Sequence, residues 1–251
     1  MHTNTPMYIR DLETILACDL SDVYLKQWTK ERLEEMQCKI ELTENTGFQQ
    51  EVQDGCKSAI SALAATIDAK DPYTCGHSKR VKKYALLGGI QLSLSKNELE
   101  VIEYGGLLHD IGNVGISDNI LRKPGPLNSQ ELIIMREHPM IGFNILKDIP
   151  FLEEVSRLVL HHHERYDGKG YPMGLQGADI SMGARLIAIA DSFDTMTTDR
   201  SYRAAINERY AIGELLQYTY TQFCPIAVDA FIAGYQKQSG NSGKALNTVT
   251  K

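Results

Sequence analysis

Apolar residues recur at three- and four-residue steps through most of the chain, and no run of β-branched residues alternates with polar ones. That pattern admits helices and argues against a sheet, so an all-α fold is expected. From His77 onward the helical stretches read as Ser78–Leu92, Lys96–Ile111, Ser129–His138, Ile141–Lys147, Leu152–Glu164, Ala184–Thr197, Asn207–Tyr218 and Ile226–Lys237. Gly and Pro punctuate the breaks at Lys123-Pro124-Gly125-Pro126, Asp148-Ile149-Pro150 and Asp167–Ser181. Two further patterns precede them, one from about Tyr24 to Glu44 and one from about Gln50 to Lys70. Residues 1–47 therefore form a helical N-terminal preamble, suited to packing or dimerisation, 48–237 the main domain and 238–251 a polar tail.

Hydrophobic residues make up 43% of the 251 and charged residues 23%, enough for an ordinary packed core. The formal net charge of −6 argues against DNA or RNA as partner, while a few local arginines or a metal still suit a small anion. No uninterrupted apolar stretch is long enough for a membrane span, and Arg10, Asp11, Glu13 and Asp19 break up any secretory signal. The 5 cysteines are scattered and form no CxxC pair, which reads as reduced thiols in a cytoplasmic protein.

The chemistry lies in imidazoles and carboxylates at helix ends and on apolar faces. Of 7 histidines, all but His2 fall between His77 and His163. His109-Asp110 closes a helix, His138-Pro139 starts one and His161-His162-His163 ends one. Asp191 follows Leu186-Ile187-Ala188-Ile189-Ala190 and shares its face with Ile187, Ala190 and Asp194. Taken alone, Asp191 is most simply a capped or salt-bridged acid. Taken together with His109 and Asp110, it is better explained by one shared divalent cation, which would satisfy several costly groups at once. Mixed imidazole and carboxylate ligands suit Mn, Fe, Zn or Ni better than Ca or Mg. An Asp bridging two ions would hold a hydroxide in line for attack on phosphorus. Of the three consecutive histidines, His161 and His163 point about 200° apart on a helix, so at most two neighbours share a site; His162-His163, nearer the loop, is the better pair. The loop Glu164–Pro172 is dense in turn formers, aromatics and charges, and Arg200 and Arg203 are spaced to hold phosphate, although such a pair is commonly just solvated.

Seven ordered motifs carry a resemblance to the HD-GYP family, a branch of the HD superfamily of metal-dependent phosphohydrolases. They are Asp71-Pro72-Tyr73-Thr74-Cys75-Gly76-His77-Ser78, Leu108-His109-Asp110-Ile111-Gly112, Lys123-Pro124-Gly125, His138-Pro139, His162-His163-Glu164-Arg165, Asp167-Gly168-Lys169-Gly170-Tyr171-Pro172, and Ala190-Asp191 leading to Arg200-Ser201-Tyr202-Arg203. The resemblance implies an HD-domain helical bundle of a cytoplasmic bacterial phosphodiesterase. Such an enzyme hydrolyses cyclic di-GMP to pGpG and often onward to GMP, while related members prefer cyclic GMP-AMP. By motif, His77, His109, Asp110 and Asp191 hold one metal, and Asp110 bridges to a second held by His138, His162 and His163; Fe or Mn is expected first, then Ni or Zn. Arg200, Arg203 and Tyr171 fall to the substrate, and Asp110, His109 and Asn113 to the catalytic positions.

Two departures stand out. Asn113 replaces the usual Lys after His-Asp-x-Gly, which loses a charged contact to phosphate. Tyr73 replaces the Glu of members with a third metal, so two metals are expected. Ser181 and Ser201 stand where proline is common. Besides the cyclic di-GMP enzyme, Asn113 leaves open a weakly active nucleotide-binding or protein-interaction module, and a phosphodiesterase for cyclic GMP-AMP or another nucleotide is a third reading. No receiver, PAS or GAF-like pattern precedes Ala59. Input is expected from a signalling partner or a homodimer contact, through the preamble helices or the GYP loop.

Overall fold

The structure is a computed structural model and describes residues 46–70, 76–199 and 204–240. The helix read over Tyr24–Glu44, Tyr73, Arg200, Arg203 and the polar tail from residue 241 lie outside the described residues.

Ten α-helices follow one another among the described residues: α1 Thr46–Lys70, α2 His77–Gln91, α3 Lys96–Leu108, α4 Asp118–Leu121, α5 Ser129–Met135, α6 His138–Leu146, α7 Glu153–His161, α8 Met182–Thr197, α9 Glu208–Gln217 and α10 Pro225–Gln238. Three short 3-10 turns, Ile111–Gly115, Pro150–Leu152 and Gly177–Asp179, connect them. No strand forms among the described residues, only isolated bridges between Asp167 and Gln176 and between Thr219 and Phe223. The fold is all-α, as the periodicity requires.

Local chemistry sets the helix starts. Ser95 and Glu98 form a reciprocal capping box at α3, and Asn128 with Glu131 repeats it at α5. Ser181 caps α8 by accepting the Ala184 N–H, so the serine found where proline is common does useful work as a cap. Helix ends deviate from the periodicity in two informative places. The stretch Lys96–Ile111 stops as α-helix at Leu108 and tightens into the 3-10 turn. The stretch Ser129–His138 stops at Met135, and His138 instead opens α6. Pro139 has no N–H to donate, so it fits a first turn and not a helix interior.

Two apolar clusters fill the interior. Val81, Ile102, Leu158, Leu186, Ile187, Phe193, Leu215 and Phe231 gather α2, α3 and α7–α10 around one core. Ile60, Leu63, Leu107, Leu108, Ile111, Leu146, Leu152 and Val159 bind α1, α3, α6 and α7 into the other. Lys70, at the end of α1, donates to the Val114 and Ile116 carbonyls at 2.9 and 3.1 Å, fastening that helix to the 3-10 turn. Gly112 of the turn lies against the start of α6, where a Cβ would overlap the His138 carbonyl oxygen. Cys56 and Cys224 are buried, free thiols.

Candidate metal centre

Helix termini deliver most of the site. His77 is the first residue of α2 and His138 the first of α6, while His109 and His162 are the C-terminal caps of α3 and α7. Helix C-termini carry partial negative charge, which favours a cation beside them. Asp191 comes from within α8, on the face it shares with the fully buried Ile187 and Ala190.

Two groups of three side chains could each hold a metal ion: His77, His109 and Asp191, and His138, His162 and His163. In each, the candidate ligand atoms lie within 4.8 Å of one another. Asp110 stands between the groups. Its Oδ2 is 3.6 Å from His109 Nε2, and its Oδ1 is 3.3 Å from His138 Nε2 and 4.0 Å from His162 Nε2. The Asp110 and Asp191 side chains keep 22% and 19% of their surface exposed, so the cleft is open to a small solute on the carboxylate side.

The imidazoles are oriented for coordination. His109, His138 and His162 place Nδ1 at 3.0, 2.8 and 2.7 Å from the carbonyls of Gly106, Met135 and Val159. A carbonyl only accepts, so each Nδ1 carries a proton and Nε2 is the nitrogen turned toward the site. His109 Nε2 is buried with no hydrogen-bond partner. His138 Nε2 and His162 Nε2 face each other at 3.3 Å, a spacing at which one cation could take both as ligands. An orphaned buried nitrogen and a facing pair of imidazole nitrogens fit resident metal ions.

Ionisation follows the same layout. Burial opposes a charge on His77, but hydrogen bonds to Asp191 and Asp194 win and raise it to about 10. Burial likewise opposes charge on Asp191, and the His77 hydrogen bond holds it well below the carboxylate range. Asp110 is held low against burial by His109, His138 and His77. On the other side, burial and neighbouring imidazoles push His162 well down, and burial with His138 takes His163 to about 4. One half of the site thus traps a proton where a metal would sit, and the other excludes it.

Residues Glu164 to Leu175 form an ordered loop over the second group. Arg165 clasps Asp167 through two hydrogen bonds of 3.0 and 2.8 Å. The buried Glu164 carboxylate accepts the backbone N–H groups of Met173, Gly174 and Leu175 at 2.6, 3.0 and 3.0 Å. Tyr171 lies within this clasp and stacks on His163, ring centroids 4.8 Å apart. Burial and the Asp110 and Asp191 carboxylates raise its hydroxyl, which stays protonated at neutral pH.

The structure brings His77, His109, Asp110, His138, His162, His163 and Asp191 to one cleft. His161 is half-buried and belongs to neither group. Asn113 sits in the 3-10 turn after Asp110, its Oδ1 buried without a partner. Asp194 and Glu164 are supporting residues to which the sequence reading gives no role in the site. The clue to Asp194 is its place one turn beyond Asp191 on the same helix face; Glu164 is marked only by following the histidines.

The family profile described as HD domain matches residues 61–224. The chain belongs to the HD domain family. Members of this family of metal-dependent hydrolases bind divalent metals, in keeping with the two His/Asp groups. The chain is 38% identical over 190 residues to the cyclic di-GMP phosphodiesterase response regulator RpfG of Xanthomonas campestris, covering 73% of this chain and 49% of that protein. It is 37% identical over 166 residues to 3'3'-cGAMP-specific phosphodiesterase 3 of Vibrio cholerae, covering 66% and 36%. A cyclic di-GMP phosphodiesterase of Thermotoga maritima is 34% identical over 204 residues, covering 80% and 55%. The chain therefore spans roughly a third to just over half of the length of these relatives. Among solved structures, an HDG"Y"P protein of Bdellovibrio bacteriovorus superposes with a TM-score of 0.55 at 18% identity, covering 84% of this chain and 70% of that one. That likeness supports the fold. No helix among the described residues is long and apolar enough to cross a membrane.

Proposed function

We propose that the chain is a two-metal phosphodiesterase that hydrolyses cyclic di-GMP to pGpG and onward to GMP. The observation that carries this reading is Asp110, whose two oxygens face opposite imidazole groups 3.6 and 3.3 Å away. His77, His109, Asp110 and Asp191 would hold one divalent ion, and Asp110, His138, His162 and His163 the other. Fe or Mn suits this nitrogen-rich set first, then Ni or Zn. Bound there, the ions supply a water acidified to react near neutral pH and polarise the scissile phosphate.

The chain's own groups do the rest. Asp110 fixes the spacing between the halves. Asp191 and the Nε2 atoms of His77 and His109 define the face from which phosphate is approached. The Asn113 amide can donate a hydrogen bond to a phosphate oxygen but adds no charge, which predicts slower turnover than a lysine there would give. Arg200 and Arg203 would bind phosphate or guanine, and Tyr171 flanks the bound nucleotide. A homodimer or signalling-protein contact through the N-terminal helices or the GYP loop, in a bacterial cytoplasm, completes the proposal.

The test is to load purified protein with Mn, Fe or Ni and incubate it with cyclic di-GMP. The expected products are pGpG and then GMP, lost in Asp110→Asn; no product with any of the three metals overturns the activity. A substrate reading of 3'3'-cGAMP draws on the 37% identical relative specific for that nucleotide. A side-by-side panel decides between them by kcat/KM.

A further inference from the structure

Five imidazoles face the cleft, and four have a ring nitrogen tied down. His109, His138 and His162 each use Nδ1 on a backbone carbonyl, and His77 uses its own on Asp194 at 2.7 Å. His163 makes no such bond among the described residues. It also lies beyond the C-terminal cap of α7, so the helix does not hold its side chain either. A ligand whose ring is free to turn must be ordered when the metal binds, and that entropy subtracts from affinity.

Tyr171 grips this residue twice. Its backbone N–H donates to the His163 carbonyl at 3.3 Å, and its ring stacks on the imidazole with an interplanar angle of 28°. Such proximity depends on Gly170, where a Cβ would collide with the backbone of Glu164 and Arg165. The Arg136 guanidinium lies over the Tyr171 ring, 5.2 Å from its centroid. Arg136 is exposed and sits two residues before His138, as the C-terminal cap of α5 at the α5–α6 corner. One corner thus carries a candidate ligand of the second group and the cation that presses on the ring orienting another.

We propose that Tyr171, backed by Arg136, is the positioning element for His163, replacing by stacking the hydrogen bond that orients each of the other four imidazoles. This rests on the two-metal reading above. It assigns Tyr171 to the preorganisation of the second metal group in addition to any contact with nucleotide, and it gives Arg136 a role through Tyr171.

The experiment is a Mn2+ titration of metal-stripped full-length protein, followed by calorimetry and by the electron paramagnetic resonance signal of coupled manganese. Thermal melting of each variant is recorded alongside. Wild type is expected to take up two ions and to give the coupled signal. Tyr171→Leu should weaken the weaker-binding ion by about 10- to 100-fold, the usual effect of losing an orienting partner, and leave an uncoupled signal from the first. Tyr171→Phe keeps the stack and should retain wild-type affinity for both. Arg136→Met, at an exposed position, should weaken the same ion by roughly two- to fivefold. Two tightly bound ions in Tyr171→Leu overturn the proposal, as does a Tyr171→Phe variant as defective as Tyr171→Leu. A wild-type chain that binds fewer than two ions overturns the two-metal reading itself, which distinguishes the two failures.

Discussion

Asp194 Oδ2 stands 2.7 Å from His77 Nδ1, and the same carboxylate takes two hydrogen bonds from Arg80 at 2.6 and 3.0 Å. The residues are 117 positions apart in sequence, yet one orients the other. An acid behind a ligating histidine fixes the tautomer and raises the basicity of the free nitrogen. Asp194→Asn is expected to lower metal affinity by about 10- to 100-fold at the His77 group, read by metal titration, with the fold retained by circular dichroism. Unchanged affinity would show that Arg80 and Asp194 serve packing alone.

Metal uptake should release protons. His77 is raised to about 10, so at pH 7.5 the metal-free site holds it as imidazolium, and only the neutral ring binds a metal. Calorimetric titrations in buffers of different ionisation enthalpy should report about one proton released per chain from this residue. An apparent enthalpy independent of the buffer contradicts that protonation state.

Acid acts on the other group with the opposite sign. His163 is lowered to about 4 against 6.5 in the unfolded chain, mainly by burial. Above pH 6.5 it contributes nothing to the pH dependence. As pH falls from 6.5 toward 4 the unfolded chain takes up a proton that the folded chain refuses, so metal-free stability declines through that window. The raised His77 behaves conversely: its contribution is complete below pH 6.5 and is lost as pH rises through about 10. Melting temperatures of the metal-free protein are expected to fall on both flanks, and His163→Gln should lessen the acid one, with His162 still contributing to it.

Glu164 tests how firmly the loop is held. Its carboxylate accepts three backbone N–H groups while nearly inaccessible to water. Glu164→Gln turns an amide donor toward at least one of them, at a cost of about 1–3 kcal/mol. Denaturant unfolding measures the loss, and protease cleavage between Asp167 and Leu175 should accelerate. An unaltered midpoint would mean that Arg165 and Asp167 suffice to hold the loop.

Much of the site was legible in the sequence because charged groups on apolar helix faces require compensation, and Asp191 on the Ile187–Ala190 face is such a case. Angular arithmetic separates His161 from His163, and nearness to the following loop favours His162 and His163 as the pair. What periodicity cannot report is which side chain on a distant helix answers a given group. The Asp194–His77 pair and the Arg136–Tyr171–His163 stack therefore emerge only from tertiary structure. The 3-10 turn at Ile111–Gly115 escapes for a related reason: its apolar residues keep helical spacing, and the close approach of Gly112 to α6 is visible only in the folded chain. Arg200 and Arg203 lie outside the described residues, and their part remains with the proposed function.

Gly112 has one more implication. Two residues after Asp110, Gly112 brings the turn against the first turn of α6, main chain resting on main chain at His138. Neighbours such as Asn113 can then vary in chemistry while the two halves keep their registration. The scaffold resembles a jig whose stops are built into the frame: tools on it can be exchanged over evolutionary time, whereas even a methyl group at the stop itself would throw both halves out of alignment.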